Sequence, residues 1–376
     1  MIAPLLAATI IDSIFAGGPF QIGVVDTSLH EISGLVASRT IPNLFWAVND
    51  SGDEPILYGM SDRGTVLRRW RLEGASNVDW EDVAYGPDRT GDTTVRYIYV
   101  ADIGDNDAKR STVRLYAVPE LPYPDTATVR YTWQTLVYPD GPRDAETLLC
   151  DPISGELFIV TKRERRNRLY RVPLPSAGVD TLQFVAELPL MLATAGDVSP
   201  DGSIIVVKNY MYAYAWRRYP NESLAGAMQR LPQQIPYMPE PQGEAMAFTT
   251  DGSAYVMASE RNDGDDVVPM YAYPIAETAR DASRMRDVRR PQLSIAAMED
   301  RKGWYALRYT VTGESSVRMY VRNALGMKAR IIADQTLEAG LQEREVDLSM
   351  LSPGDYVLVL RTRDFYQALP FTIFAE

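Results

Sequence analysis

The residues best able to do chemistry recur along the chain. Glu31, Glu81, Glu146, Thr194 and Glu244 each open a short run of small and apolar residues that crosses a turn into a second apolar run. The second runs end in Asp50, Asp102, Lys162, Lys208 and Glu260. If the copies stack around one axis, both sets open at the same end and the first-set carboxylates face one another. Like charges in a space of low dielectric repel strongly, so they need a bound cation, a cationic neighbour or raised pKa values. Three accounts fit. In the first, Asp50, Asp53, Asp82, Asp102 and Asp105, with Glu81, offer the hard oxygens that Ca²⁺ takes about six to eight at a time. Lys162, Arg163 and Lys208, with Glu31 and Glu260, would then hold a small anionic or polar ligand that also meets the metal. In the second, Glu81, Glu146 and Glu244 act as general acid and base in a hydrolase without metal. In the third, each Glu caps backbone amides of the neighbouring repeat and pairs with the nearby Arg or Lys.

The elements that would position these groups follow from the repeat itself. The clearest copy runs Glu244-Ala-Met-Ala-Phe, the turn Thr249-Thr-Asp-Gly252, then Ser253-Ala-Tyr-Val-Met-Ala-Ser-Glu260. Short apolar runs bounded by turn residues read as strand, turn, strand. Repeat starts are 50, 65, 48 and 50 residues apart, a period suited to propeller blades of four strands each. The fifth unit shows three strands, and a lone strand at 21–26 has no partner of its own. Pairing the two closes the ring and removes exposed sheet edges. The expected fold is therefore all-β, a five-bladed β-propeller over 20–275, with six blades if part of 276–292 also pairs. Within it, Asn221 to Arg230 reads as a short capped helix and 129–133 as one strand. Residues 276–292 read as a charged linker or a surface helix. From 293 to 376, six or seven runs alternating at period two suggest an Ig-like β-sandwich.

Composition excludes several classes. A net charge of −12 argues against nucleic acid, whose phosphates are bound by Lys and Arg. The single Cys150 and single His30 exclude an intrachain disulfide and cysteine- or histidine-rich metal sites. Cys150 reads as a buried inert thiol and His30 as a turn residue. Residues 1–18 contain an apolar run of signal-peptide length, too short to span a bilayer, so export is expected, with no membrane span. Asp102-Ile-Gly-Asp-Asn-Asp107 lacks the glycine and distal Glu of an EF loop. No Gly-x-Ser-x-Gly elbow, P-loop or dinucleotide fingerprint occurs. Most of the 22 tyrosines fall at third-strand positions, as at Tyr116 and Tyr170, which points to blade packing.

Taken in order, Asp79-Trp-Glu-Asp82, Ala101-Asp-Ile-Gly-Asp-Asn106, Ala145-Glu-Thr-Leu-Leu, Asp197-Val-Ser-Pro-Asp-Gly202 and Gln242-Gly-Glu-Ala-Met-Ala247 resemble secreted bacterial propeller proteins similar to the phytase-like esterases. The resemblance covers about 25–275. It implies hydrolysis of an ester or phosphoester with Ca²⁺. The tail, with Leu337-Glu-Ala-Gly340 and Val346 to Tyr356, resembles the C-terminal sandwich of type IX secretion sorting domains. That likeness implies contact with secretion machinery and an extracellular or cell-surface location. The reading from another class is a non-catalytic adhesion module that holds a protein or glycan on the propeller face.

Overall fold

Each phrase of the repeat folds as a hairpin because its two apolar runs are fully buried and its turn is not. The inner strands Ile32–Ala37, Ala145–Cys150 and Gly243–Phe248 are buried at every residue, as are their partners Leu44–Asn49, Leu157–Thr161 and Ala254–Ser259. Strands buried on both faces read as continuous apolar runs rather than as alternation. The computed structural model describes residues 19–89, 95–219, 221–261, 267–275, 293–298, 300–311, 315–323, 327–361 and 366–374. The expected leader at 1–18 and linker at 276–292 lie outside them.

Five sheets form the N-terminal part. Blade 1 starts at Ile32–Ala37, blade 2 at Trp80–Pro87, blade 3 at Ala145–Cys150, blade 4 at Ala195–Val198 and blade 5 at Gly243–Phe248. Each inner strand packs beside that of the next blade, and blade 5 packs beside blade 1, so the ring closes at five. The fourth strand of blade 5 is Phe20–Val24, antiparallel to Pro269–Pro274. Further bonds from Val24 N to Arg63 O and from Asp26 N to Gly64 O fix this closing strand to blade 1. A Cβ at Gly23 would overlap the Arg63 carbonyl, so glycine is needed for that approach.

The core is divided into wedges between adjacent blades. Trp46, Trp70, Trp80 and Tyr116 fill the wedge between blades 1 and 2, where Trp46 and Trp70 lie 4.2 Å apart. Tyr170, with Leu148 and Ile159, belongs to the wedge between blades 2 and 3. The third-strand tyrosines are thus packing residues, and Cys150 is buried among them. Hydrogen bonds also cross between blades. Asp82 Oδ2 accepts from Leu148 N at 2.7 Å, and Asp197 Oδ2 from Phe248 N at 2.8 Å.

Two local expectations change. The run 129–133 is not one strand. Thr126–Val129 crosses to blade 1 and pairs in parallel with Val66–Leu72, whereas Thr132–Val137 stays in blade 2. Val129 is fully buried in the wedge between blades 1 and 2, and that burial accounts for the split. In blade 4 the helix is Leu224–Met228 with Ser223 as its N-cap, the Ser223 Oγ accepting from Gly226 N at 3.0 Å. Asn221 has φ +63°, outside the extended region that an N-cap occupies.

The C-terminal part has two antiparallel sheets around one apolar core. Leu293–Ala297, Trp304–Val311 and Gly340–Asp347 form one sheet; Lys328–Leu337, Ser315–Asn323, Gly354–Arg361 and Tyr366–Ile373 form the other. Strand orders 1-2-5 and 4-3-6-7 make an Ig-like sandwich. Its two faces meet through Leu307, Val317, Met319, Leu358 and Leu360. The outer face of the four-stranded sheet also packs on the propeller, where Tyr320, Val357 and Val359 join the core of blades 4 and 5. Among the described residues no helix is long and apolar enough to cross a membrane.

Candidate functional site

A single irregularity in the inner strands aims the acidic side chains. In blade 2, Trp80 faces Asp102 and Asp82 faces Ala101, which leaves Glu81 as the extra residue of a β-bulge. The same bulge places Glu146 in blade 3 and Glu244 in blade 5. A bulge leaves one residue outside the ladder and re-aims its side chain. In blade 1 the bulged residue is Ser33, not Glu31, and blade 4 has no bulge. Glu31 occupies the position two residues earlier. There its carbonyl accepts from Asp50 N, just as the carbonyls of Asp144 and Gln242 accept from Lys162 N and Glu260 N. Its expected equivalence with Glu81 is therefore corrected, and Asp79 and Asp144 are its counterparts.

A second correction concerns the strand ends. Asp50, Lys162 and Glu260 each lie one residue past the ladder, whereas Asp102 and Lys208 are still paired, with Trp80 and Ala195. One residue of register turns a side chain to the opposite face. Asp102 accordingly meets Arg110 at 2.7 Å. Lys208 is fully buried, bonds to Gly243 O, and lies 3.9 Å from Glu240 and 5.2 Å from the Tyr237 ring. It is not on the funnel wall.

The funnel is a cavity of about 460 Å³. Glu31, Asp50, Glu81, Glu146, Glu244 and Glu260 line it, with Lys162, Arg163, Tyr210, Asn106, Gln242, Leu192 and Met327. Carboxylate oxygens come together in three groups, each within 4.8 Å: Asp50, Glu244 and Glu260; Asp50, Asp79 and Glu81; Glu81, Asp144 and Glu146. Asp50 and Glu81 belong to two groups each, so the acids form a chain around most of the axis. Lys162 completes it. Its Nζ donates to Glu146 Oε1 and, at 3.1 Å, to the Tyr210 hydroxyl, and it lies 3.9 Å from Glu244 Oε1. Tyr210 in turn donates to Glu244 Oε1. Arg163 is turned aside to Asp144 and Asn106.

Of the five aspartates expected to hold Ca²⁺, only Asp50 lines the funnel. Asp53 accepts from Asn49 Nδ2 and from Glu54 N. Asp82 clasps blade 3, and Asp102 is paired with Arg110. Asp105 accepts from the backbone N–H groups of Lys109 and Arg110 at 2.8 and 2.7 Å. These are turn and clasp roles, which satisfy short Asp side chains locally. Asp79, Asp144 and Tyr210 are the site residues that sequence reasoning missed. The two aspartates each stand two residues before a bulged Glu, and that spacing was the available signal.

Electrostatics follows the crowding. Burial, followed by the charges of Glu146 and Asp50, pushes Glu81 well above the ordinary carboxylate range. Burial also raises Glu146, although Lys162 opposes the shift. Burial and then Glu244 lift Asp50 to about 7, and the same two causes lift Glu260 to about 11. Burial disfavours the Lys162 charge, but Glu146 and Glu244 outweigh it and hold the ammonium above the usual lysine range. The site thus holds protons that a metal ion would replace.

Whether hard cations fit can be tested on the donors themselves. Glu146 Oε2 is buried without a hydrogen-bond partner. The Glu81 side chain, only 3% exposed, has no hydrogen bond or ion pair among the described residues. Two oxygens on one Ca²⁺, at about 2.3–2.6 Å each, stand no more than about 5 Å apart, and the three groups meet that limit. Gly104 supports the cradle, because a Cβ there would overlap Glu81 Oε1 and the Asp79 carboxylate. Each group offers three oxygens at a spacing that Ca²⁺ accepts.

No protein-family model matches the chain, and no curated protein matches it in sequence. Among solved structures it is similar to the PQQ-bound aldose sugar dehydrogenase of Streptomyces coelicolor, at 12% identity over 69% of this chain and 98% of that one, with a TM-score of 0.39. It is also similar to a chain of the nidogen/laminin complex, at 12% identity over 61% and 73% with a TM-score of 0.36. A luciferin-regenerating enzyme matches at 8% identity over 68% and 95%, with a TM-score of 0.37. The propeller assignment stands on the sheets and their closure.

Proposed function

We propose that the funnel binds divalent calcium through its bulge carboxylates, and that the bound cation recruits a small anionic or polar ligand whose ester or phosphoester bond is hydrolysed. The observation that carries this reading is the chain of three overlapping carboxylate groups containing the unpaired Glu81 and the orphaned Glu146 Oε2. Without a cation, so many acids around one axis are mutually repulsive. Calcium would supply Lewis acidity and charge neutralisation when bound. The chain's own residues supply the rest. Glu81, whose side chain meets no donor from the chain, would accept a proton from water once a bound cation has displaced its own. Lys162 presents positive charge on the blade 3 side, where an anionic group would meet it, and Tyr210, its own O–H held by Glu244, accepts from Lys162 and positions it. Glu260, protonated near neutral pH, is a proton donor beside Glu244.

The reading goes with an extracellular or cell-surface location, since calcium sites of extracellular modules work at about 10⁻⁴–10⁻³ M. Hydrolysis of p-nitrophenyl phosphate and p-nitrophenyl acetate, with calcium and after EDTA dialysis, tests it. Calcium-dependent turnover lost in Glu81→Gln is expected. If neither ester is turned over while calcium still binds, the protein is instead a binding module of the cell surface.

A further inference from the structure

The C-terminal sandwich reaches the mouth of the funnel. Met327, which follows the strand Ser315–Asn323, lines the same cavity as Glu81 and Glu146. Asn323 N donates to Met327 O and Met327 N donates to Asn323 Oδ1, both at 3.0 Å. The strand before it is clamped to the propeller. Arg322, buried at 3% exposure, donates to Pro241 O, immediately before the funnel residue Gln242. Its guanidinium lies 5.1 Å from the Tyr320 ring, and Tyr320 packs in the core of blades 4 and 5.

Buried anchors of this kind hold the end of the strand against the propeller. Met327 itself is not consumed by packing, because 57% of its surface is exposed. A flexible thioether left open at the edge of an acidic cavity is surface available to a ligand. Leu192, from the loop before blade 4, is the other aliphatic residue on the lining.

We infer that the sandwich is a wall of the funnel and that Met327 is a specificity-determining residue. The site takes an amphiphilic ligand, whose polar or anionic head meets the carboxylate-bound cation and whose apolar group lies against Met327. This deepens the calcium reading and rests on it.

The test uses the full chain with saturating calcium and a series of ethyl, butyl and hexyl phosphate, their affinities measured by calorimetry. For the wild type, affinity rises along the series, up to about fourfold per methylene that is fully buried. In Met327→Gln, which keeps side-chain length on an exposed position, that rise flattens while ethyl phosphate binds within about twofold of wild type. A variant that retains the wild-type chain-length dependence, or that weakens all three phosphates equally, overturns the inference while leaving the cation site standing. Calcium binding without binding of any phosphate removes the ligand, and the inference falls with it. Failure to bind calcium at all strikes the reading beneath.

Discussion

The Lys162 ammonium donates to the Tyr210 hydroxyl across 3.1 Å, so blade 3 supplies a charge at the point where blade 4 has no carboxylate. Tyr210 passes the contact on to Glu244, and the acidic chain is closed by one internal cation. This arrangement makes the site an electrostatic balance, and its parts can be disturbed one at a time.

Lys162→Met removes the compensating charge from a buried pair. Breaking such a pair costs about 3–5 kcal/mol, because it leaves the partner charge uncompensated. Chemical denaturation in EDTA should show that loss. Added calcium should return part of it, since the freed Glu146 and Glu244 oxygens gain a cation.

The pH dependence has a definite sign. Asp50 titrates near 7 and Glu260 near 11 in the folded chain, against about 4 for unfolded carboxylates. Between those limits the folded state holds more protons than the unfolded state, so stability falls as pH rises. Metal-free protein should therefore melt at a lower temperature at pH 8 than at pH 5. Calcium displaces these protons, so its affinity should increase over the same interval. A melting temperature independent of pH in EDTA contradicts the raised pKa values of Asp50 and Glu260.

Gly104→Ala adds a methyl group against Glu81 Oε1 and the Asp79 carboxylate. Gly104 is not among the glycines with left-handed φ, so the backbone tolerates alanine and the effect falls on the site. Overpacking of this size costs about 1–3 kcal/mol, and calcium affinity should drop about tenfold or more. Terbium luminescence titration reads that drop directly.

Asp82→Ala makes the contrasting case. Asp82 is fully buried and accepts from Val83 N and Leu148 N, which joins blade 2 to blade 3. Its loss leaves two buried donors unmet, at about 1–3 kcal/mol each. Urea unfolding should show the destabilisation, and calcium affinity in the folded variant should remain that of the wild type.

The all-β ring was legible because its signals are local. Apolar runs, turn residues and a period near 50 identify each hairpin, and the partnerless strand before Glu31 shows how the ring closes. The site was less legible because it depends on one residue of register. Glu31 shares a side-chain type with Glu81 but sits two residues ahead of the bulge, which Ser33 fills in blade 1. Asp102 and Lys208 resemble Asp50, Lys162 and Glu260 in sequence, yet fall one residue short of the funnel. A bulge changes backbone pairing without requiring a distinctive residue, so no composition signal marks it. The strand Thr126–Val129 was missed for a related reason: its partner lies in the preceding blade.

Calorimetric titration of calcium into the EDTA-dialysed 376-residue chain, with Glu81→Gln beside it, tests the central claim most directly. The account predicts saturable binding at about 10⁻⁴–10⁻³ M or tighter, weakened at least about tenfold in Glu81→Gln, as expected when a direct oxygen ligand loses its charge. Absence of binding to the wild type, or equal binding to both proteins, would contradict it.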